Sequence, residues 1–182
     1  MGFEVPDLRD DEIVLRLPTT DHVDAITAAC QDPDIPRFTR VPSPYTRDDA
    51  VAFVERSRDQ WRDGVVAANF VIEDLITGVL RGACGLHLRD TPEVAEVGYW
   101  IAAPARRRGV ATRATRLASR WALATFPLVR LELITHPDNV GSQRVAESAG
   151  FTREGLLRSY ATIGCGVSDV VMFALLPEDL AT

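Results

Sequence analysis

From Ile13 to Leu17 apolar and charged residues alternate, which is the period-two signature of a half-buried strand. The period then changes. Thr19 and Thr20 offer capping hydroxyls, and Val23, Ile26, Thr27 and Cys30 follow at i, i+3, i+4 and i+7, one face of a helix that Asp32-Pro33 ends. A loop carrying Pro36, Pro42 and Pro44 leads to Thr46, which with Asp49 spells a capping box. Ala50, Phe53, Val54, Ser57 and Trp61 form the next helical stripe.

From Ala67 onward the pattern is strand-like. Residues Ala67 to Ile72, Val79 to Leu88 and Val94 to Ile101 read as three successive strands, joined by turns at Thr77-Gly78 and Asp90-Thr91-Pro92. An antiparallel meander is predicted. A helix follows Gly109, with Val110, Ala114, Leu117, Ala118 and Trp121 inward, and Pro127 stops it. Leu128 to Thr135 is a fifth strand, and Asn139 caps a helix that ends at Gly150. Phe151 to Leu157 and Ser168 to Leu176 close the chain as two strands around Gly164-Cys165-Gly166. The order predicts an α/β (α+β) domain over residues 13–177, its mixed sheet of about seven strands covered by helices on both faces.

Composition narrows the chemistry. All 20 basic residues are arginine, so a Walker A lysine and Schiff-base chemistry are both excluded. The net charge of -6 argues against nucleic acid as a partner, because such binding needs a basic face. That charge is uneven. Residues 1–12 hold five acids (Glu4, Asp7, Asp10, Asp11, Glu12) against Arg9, which leaves -2 for the other 170 residues and describes a flexible acidic N-terminal arm. Three scattered cysteines lack metal-ligand spacing and fit a reducing compartment. No basic start followed by an apolar run is present, and no membrane-length apolar stretch. The expectation is a cytoplasmic protein with no membrane partner and no metal.

The stretch most suggestive of a site is Glu96 to Thr112, a strand, a short loop and a helix start. A helix N-terminus presents unpaired N–H groups and partial positive charge to an anion. Gly109 and Ala111 permit close approach, and Arg106, Arg107 and Arg108 would add charge. Asn139 and Ser142 stand at the start of the next helix, directly after a strand.

Together these features resemble the GNAT acetyltransferase superfamily, and within it the RimJ/RimL-type ribosomal-protein N-terminal acetyltransferases. Arg106, Gly109 and Ala111 match its acyl-CoA signature R/Q-x-x-G-x-G/A. Glu96-Val97-Gly98-Tyr99-Trp100-Ile101, Asn139-x-x-Ser142 with Gly150-Phe151, and Asp169 to Leu176 match the subgroup in order, so the likeness spans Ile13 to Leu176.

The resemblance implies acetyl-CoA as cosubstrate and an amine as acceptor, either a protein N-terminus or a small molecule. It implies a splay between the fourth and fifth strands, with the pantetheine arm against Trp100 and Ile101. The pyrophosphate would lie on the amides of Arg108, Gly109, Val110, Ala111 and Thr112, near the Arg106 and Arg107 side chains. Asn139 would contact the pantetheine or a water, and Ser142 would lie near the sulfur. Glu96 corresponds to a glutamate that some members use as base. The family's usual acid, a tyrosine seven residues after the asparagine, is Ala146 here, which leaves Ser142, a water or no acid. That gap also keeps open a non-catalytic acyl-CoA-binding module on the same fold; a homodimer is likewise left open.

Among the other candidates, His136 falls near the splay with a structural or solvent role expected, and His87 and His22 read as packing or surface. Cys84 reads as core and Cys165 as a turn residue, while Phe38 and Tyr160 are placed at the border of the acceptor pocket.

Overall fold

A computed structural model describes residues 6–62, 67–164 and 166–181, and the Cys165 turn lies outside them. Eight strands form one sheet: β1 (Leu8–Arg9), β2 (Ile13–Arg16), β3 (Ala67–Asp74), β4 (Leu80–Leu88), β5 (Val94–Ile101), β6 (Arg130–Thr135), β7 (Thr152–Ile163) and β8 (Gly166–Leu175). Their spatial order is β1-β2-β3-β4-β5-β6-β8-β7. Only β5 and β6 pair in parallel. Helices α1 (Val23–Ala29) and α3 (Arg47–Arg62) close one face over Val71, burying Ile26, Ala50 and Val54. Helices α4 (Val110–Thr125) and α5 (Val140–Ser148) close the other over Phe70, Leu86 and Val97.

Local rules account for most boundaries. Thr46 and Asp49 form the reciprocal cap of α3, with Thr46 N donating to Asp49 Oδ2 at 2.8 Å and Asp49 N to Thr46 Oγ1 at 3.2 Å. The loop expected between the first two long helices contains a short helix, α2 (Asp34–Phe38). Pro36 does not forbid it, because a proline in a first helical turn removes an N–H that has no helical acceptor.

The acidic arm is the larger correction. Residues 1–5 are outside the described chain, but residues 6–12 are folded: Leu8 and Arg9 pair with Leu15 and Val14. Arg113 on α4 gathers Asp10, Asp11 and Glu12 at 2.7 to 2.9 Å. One guanidinium about a hundred residues away thus offsets part of the local acid excess beside β1. Arg113→Met is expected to raise amide hydrogen exchange at Leu8 and Arg9 selectively, with β3 to β5 unchanged. Equal protection in variant and wild type would show that the arm holds without this contact.

The feature that positions the site is the β5–β6 pair. Its ladder covers only Val94 to Glu96 against Arg130 to Glu132. Beyond that the strands diverge: β5 continues along β4 as far as Ile101 opposite Gly82, and β6 along β8 as far as Thr135 opposite Val171. Glu96 and Glu132 face each other where the divergence begins, a like-charge pair that would be unfavourable alone. Arg89 lies between them, with its Nη2 3.0 Å from Glu96 and its Nε 3.1 Å from Glu132.

Candidate active site

Two cavities open at this divergence, one on each face of the sheet. The first, about 450 Å³, runs along the end of β5, past the 102–109 loop, to the N-termini of α4 and α5. The second, about 490 Å³, lies under α3 and the connection after α2, against β3, β4 and β5. Both are lined by Phe38, Thr39, Tyr99, Trp100, Asn139 and Ser142. The molecule therefore holds two chambers that meet at the gap.

The first chamber is built to receive an anion. Helix α4 begins behind Gly109, whose φ of +76° is left-handed and whose missing side chain provides no cap. The first helical bond runs from Arg113 N–H to the Gly109 carbonyl, so the amides of Val110, Ala111 and Thr112 have no helical acceptor. Arg107 beside them also has a left-handed backbone, at φ +59°.

The three arginines separate in role. Arg106 pairs with Asp32 at 3.0 Å and Asp34 at 3.3 Å, and its Nε donates to the Ile101 carbonyl at 3.1 Å. Its charge is already balanced, so it fixes the loop to the end of β5. Arg107 lines the chamber and makes no ion pair among the described residues, whereas Arg108 is exposed and off the wall. Arg144 on α5, which no sequence motif marked, adds a second cation to the same wall that is unpaired among the described residues. Trp100 and Ile101 border the chamber, and the Ile101 carbonyl already accepts from Arg106.

At the junction, Asn139 Oδ1 accepts the Ser142 amide at 3.1 Å and caps α5. The cap holds the Ser142 hydroxyl toward β5, where it lies 2.9 Å from the Tyr99 hydroxyl. Burial pushes the Tyr99 pKa well above its ordinary value, and the Ser142 bond offsets only part of this. Tyr99 thus stays protonated and can donate. In the sequence Tyr99 is one residue of the Glu96–Ile101 stretch with no role of its own; the strand divergence shows what it faces.

The second chamber has a largely apolar lining into which Arg40, Asp49, Arg56 and Glu96 bring nearly balanced charge. Glu96 is buried in its wall at 6% exposure, and its carboxylate is clamped: Arg40 Nη1 and Nη2 lie 3.2 Å from Oε1 and Oε2, and Arg89 approaches Oε2. Gly98 faces Gly85 across β4 and β5. Nothing lies within 4 Å of a Cβ at Gly98, so the floor there is bare backbone.

The remaining candidates fall elsewhere. His136 accepts the Asp138 amide and packs on Phe38 at 6.0 Å, off both chambers. His22 pairs with Glu73 at 2.9 Å. Cys84 is buried, with its thiol pushed up to about 12 by loss of hydration. Phe38 lines both chambers, whereas Tyr160 lies over Arg89 at 6.0 Å and off the walls. Among the described residues no cluster of metal-ligating side chains occurs, and no helix is long and apolar enough to cross a membrane.

A mixed sheet parted between its two parallel strands, with an open helix N-terminus on one side and a second chamber on the other, is the architecture of an acyl-CoA-dependent transferase. Residues 12–152 match the family described as the acetyltransferase (GNAT) domain, and the chain belongs to that family. Its activity in general terms is the family's, acetyl transfer from acetyl-CoA to an amine. Along its length the chain is 27% identical over 176 residues to an uncharacterized N-acetyltransferase, p20, of Bacillus licheniformis, covering 96% of this chain and 98% of that one. In fold it is similar to RimJ of Mycobacterium smegmatis, solved with a CoA disulfide, at TM-score 0.81 and 22% identity, over 93% of this chain and 84% of that one. It is also similar to the microcin C7 self-immunity acetyltransferase MccE, solved with acetyl-CoA and AMP, at TM-score 0.80 and 20% identity, over 92% and 93% of the two chains.

Proposed function

We propose that this chain is an N-acetyltransferase of the RimJ/RimL kind, acting on a primary amine, a protein α-amine or that of a small molecule, by direct attack in a ternary complex. The observation that carries this reading is the meeting of the two chambers at Tyr99 and Ser142. Acetyl-CoA supplies an activated thioester whose carbonyl carbon accepts the amine.

The amides of Val110, Ala111 and Thr112 would hold the pyrophosphate, with Arg107 and Arg144 as its counter-charges. The edge of β5 at Trp100 and Ile101, left unpaired by β6, would hold the pantetheine arm. Asn139 keeps its amide nitrogen for the same arm, since its oxygen caps α5. Holding both reactants at one gap would supply much of the rate.

The leaving sulfur needs a hydrogen-bond donor, and the Tyr99–Ser142 pair offers one. In sequence, Ala146 at the family's tyrosine position allows a non-catalytic module; here a hydroxyl arrives from β5 instead, which favours the enzyme. Glu96, held in the wall of the acceptor chamber, would attract and orient an incoming ammonium group. To take a proton itself it would have to release one of its guanidinium contacts.

Thiol release from acetyl-CoA with a panel of amines tests the reading. Tyr99→Phe and Ser142→Ala are each expected to lower kcat by about tenfold, and the double variant by no more than the larger single effect, because the hydroxyls act as one pair. Fully additive losses would show that they act independently. Acetyl-CoA binding with no thiol release for any amine would favour the binding module.

A further inference from the structure

The acceptor chamber contains a histidine that no ion pair engages among the described residues. His87 on β4 is in register with Glu96 on β5, so both side chains leave the same face of the sheet into the chamber. The imidazole turns back over Gly85, with Nε2 3.3 Å from where a Cβ on that glycine would sit. Gly85 faces Gly98, the bare floor beside Tyr99. His87 Nε2 therefore shares the space over Gly85 with Asn69 Oδ1, beside the bare floor at Gly98 and the junction of the two chambers. Neither ring nitrogen has a protein hydrogen-bond partner among the described residues. Glu96, by contrast, has both oxygens engaged by arginines.

We propose that His87 is the proton acceptor for the incoming amine, with Glu96 as its charged neighbour. This rests on the acetyltransferase reading above and deepens it. An ammonium entering beside Glu96 gives one proton to the imidazole. The free amine then forms its N–C bond to the acetyl carbonyl carbon as the C–S bond breaks. The departing sulfur takes a proton from the Ser142 hydroxyl, and the second amine proton restores that hydroxyl. The imidazolium finally releases its proton to solvent at the chamber mouth, so one thiol, one amide and one proton leave per turnover.

The surroundings suit a base at neutral pH. Glu96 faces the ring from β5, Arg40 from the connection after α2 and Arg89 from β4 itself, while Asp49 and Arg56 line the chamber from α3. The ring is reached by solvent from the mouth but crowded by protein elsewhere. That loss of hydration draws its pKa below 6.5, Glu96 opposes the shift, and the two arginines add to it. The group is thus neutral at pH 7 and able to accept.

The test is kcat against pH from 5 to 9, by thiol release at saturating acetyl-CoA with alanine amide, a serine-initiated tripeptide or spermidine. The wild type is expected to lose activity on the acid side with a midpoint below 6.5. His87→Gln should lower kcat about a hundredfold and abolish this acid limb, with acetyl-CoA affinity unchanged by titration calorimetry. Added imidazole should restore activity to His87→Gly, a rescue that a merely structural histidine would not show. Glu96→Gln should keep the limb and move it to lower pH, since the carboxylate supports protonation of the ring. The proposal is overturned if His87→Gln keeps both the limb and a rate within twofold of wild type, or if the limb vanishes in Glu96→Gln alone. A wild type that binds acetyl-CoA and turns over none of these amines would overturn the acetyltransferase reading first, and this proposal with it.

Discussion

Ala111→Asp is expected to abolish acetyl-CoA binding in a protein that remains folded and is, if anything, more stable. Ala111 lies in the first turn of α4, in the wall of the first chamber, among amides that have no helical acceptor. A carboxylate there favours the helix by about 0.3–1 kcal/mol through its dipole. The same carboxylate opposes a bound pyrophosphate. Two unit charges at about 4 Å repel by about 4 kcal/mol at an effective dielectric of about 20, so affinity should fall by at least about a hundredfold. Titration calorimetry with acetyl-CoA, alongside thermal unfolding, checks both signs. Retained affinity would place the cosubstrate outside this groove.

Gly98→Val is the complementary experiment. A Cβ at Gly98 meets nothing within 4 Å, so a branched side chain enters open space without a backbone clash. Valine suits a strand, and replacing glycine restricts the unfolded chain, so stability should hold or rise. The new methyl groups fill the floor of the acceptor chamber, where displacing the amine by about 1 Å is enough to cost about a hundredfold. The expected result is a loss of at least that size in kcat/KM for the amine, with acetyl-CoA affinity within about threefold of wild type. Loss of acetyl-CoA affinity instead would mean that the two chambers are not divided as described. Gly82, on β4, allows no such change: a Cβ there would lie 2.2 Å from the Trp100 carbonyl oxygen.

Much of this was legible in the chain. Every strand of the meander and every long helix follows from hydrophobic period and turn residues, because those signals act within ten or fifteen residues. The segments of the proposed cosubstrate groove were legible for the same reason: Arg106 to Thr112 and Asn139 to Ser142 are two continuous segments, each at the start of a helix. What stayed hidden depends on partners distant in sequence. The arm looked flexible because Arg113 stands about a hundred residues away. Arg106 looked like a ligand for phosphate because Asp32 and Asp34, which hold it, lie about 70 residues earlier.

Tyr99 and His87 show the same limit at the site itself. Each occupies an ordinary position on an alternating strand, one inward and one at a chamber mouth. Their importance comes from cross-strand register and from the parting of β5 and β6, neither of which a local pattern fixes. Glu96 was legible through its correspondence to a family glutamate; its clamp by Arg40 and Arg89 was not.

In the proposed reaction an amine in one chamber attacks acetyl-CoA in the other, with no acetyl group passing through the protein. A single-turnover reaction tests it directly: enzyme in excess over acetyl-CoA, quenched before and after addition of spermidine, with protein and small molecules weighed by mass spectrometry. The account predicts unmodified protein mass at every time and, only after the amine is added, acetylated amine and free CoA thiol formed one for one. An enzyme heavier by one acetyl group before the amine arrives, or bound acetyl-CoA that persists unchanged in its presence, would contradict it.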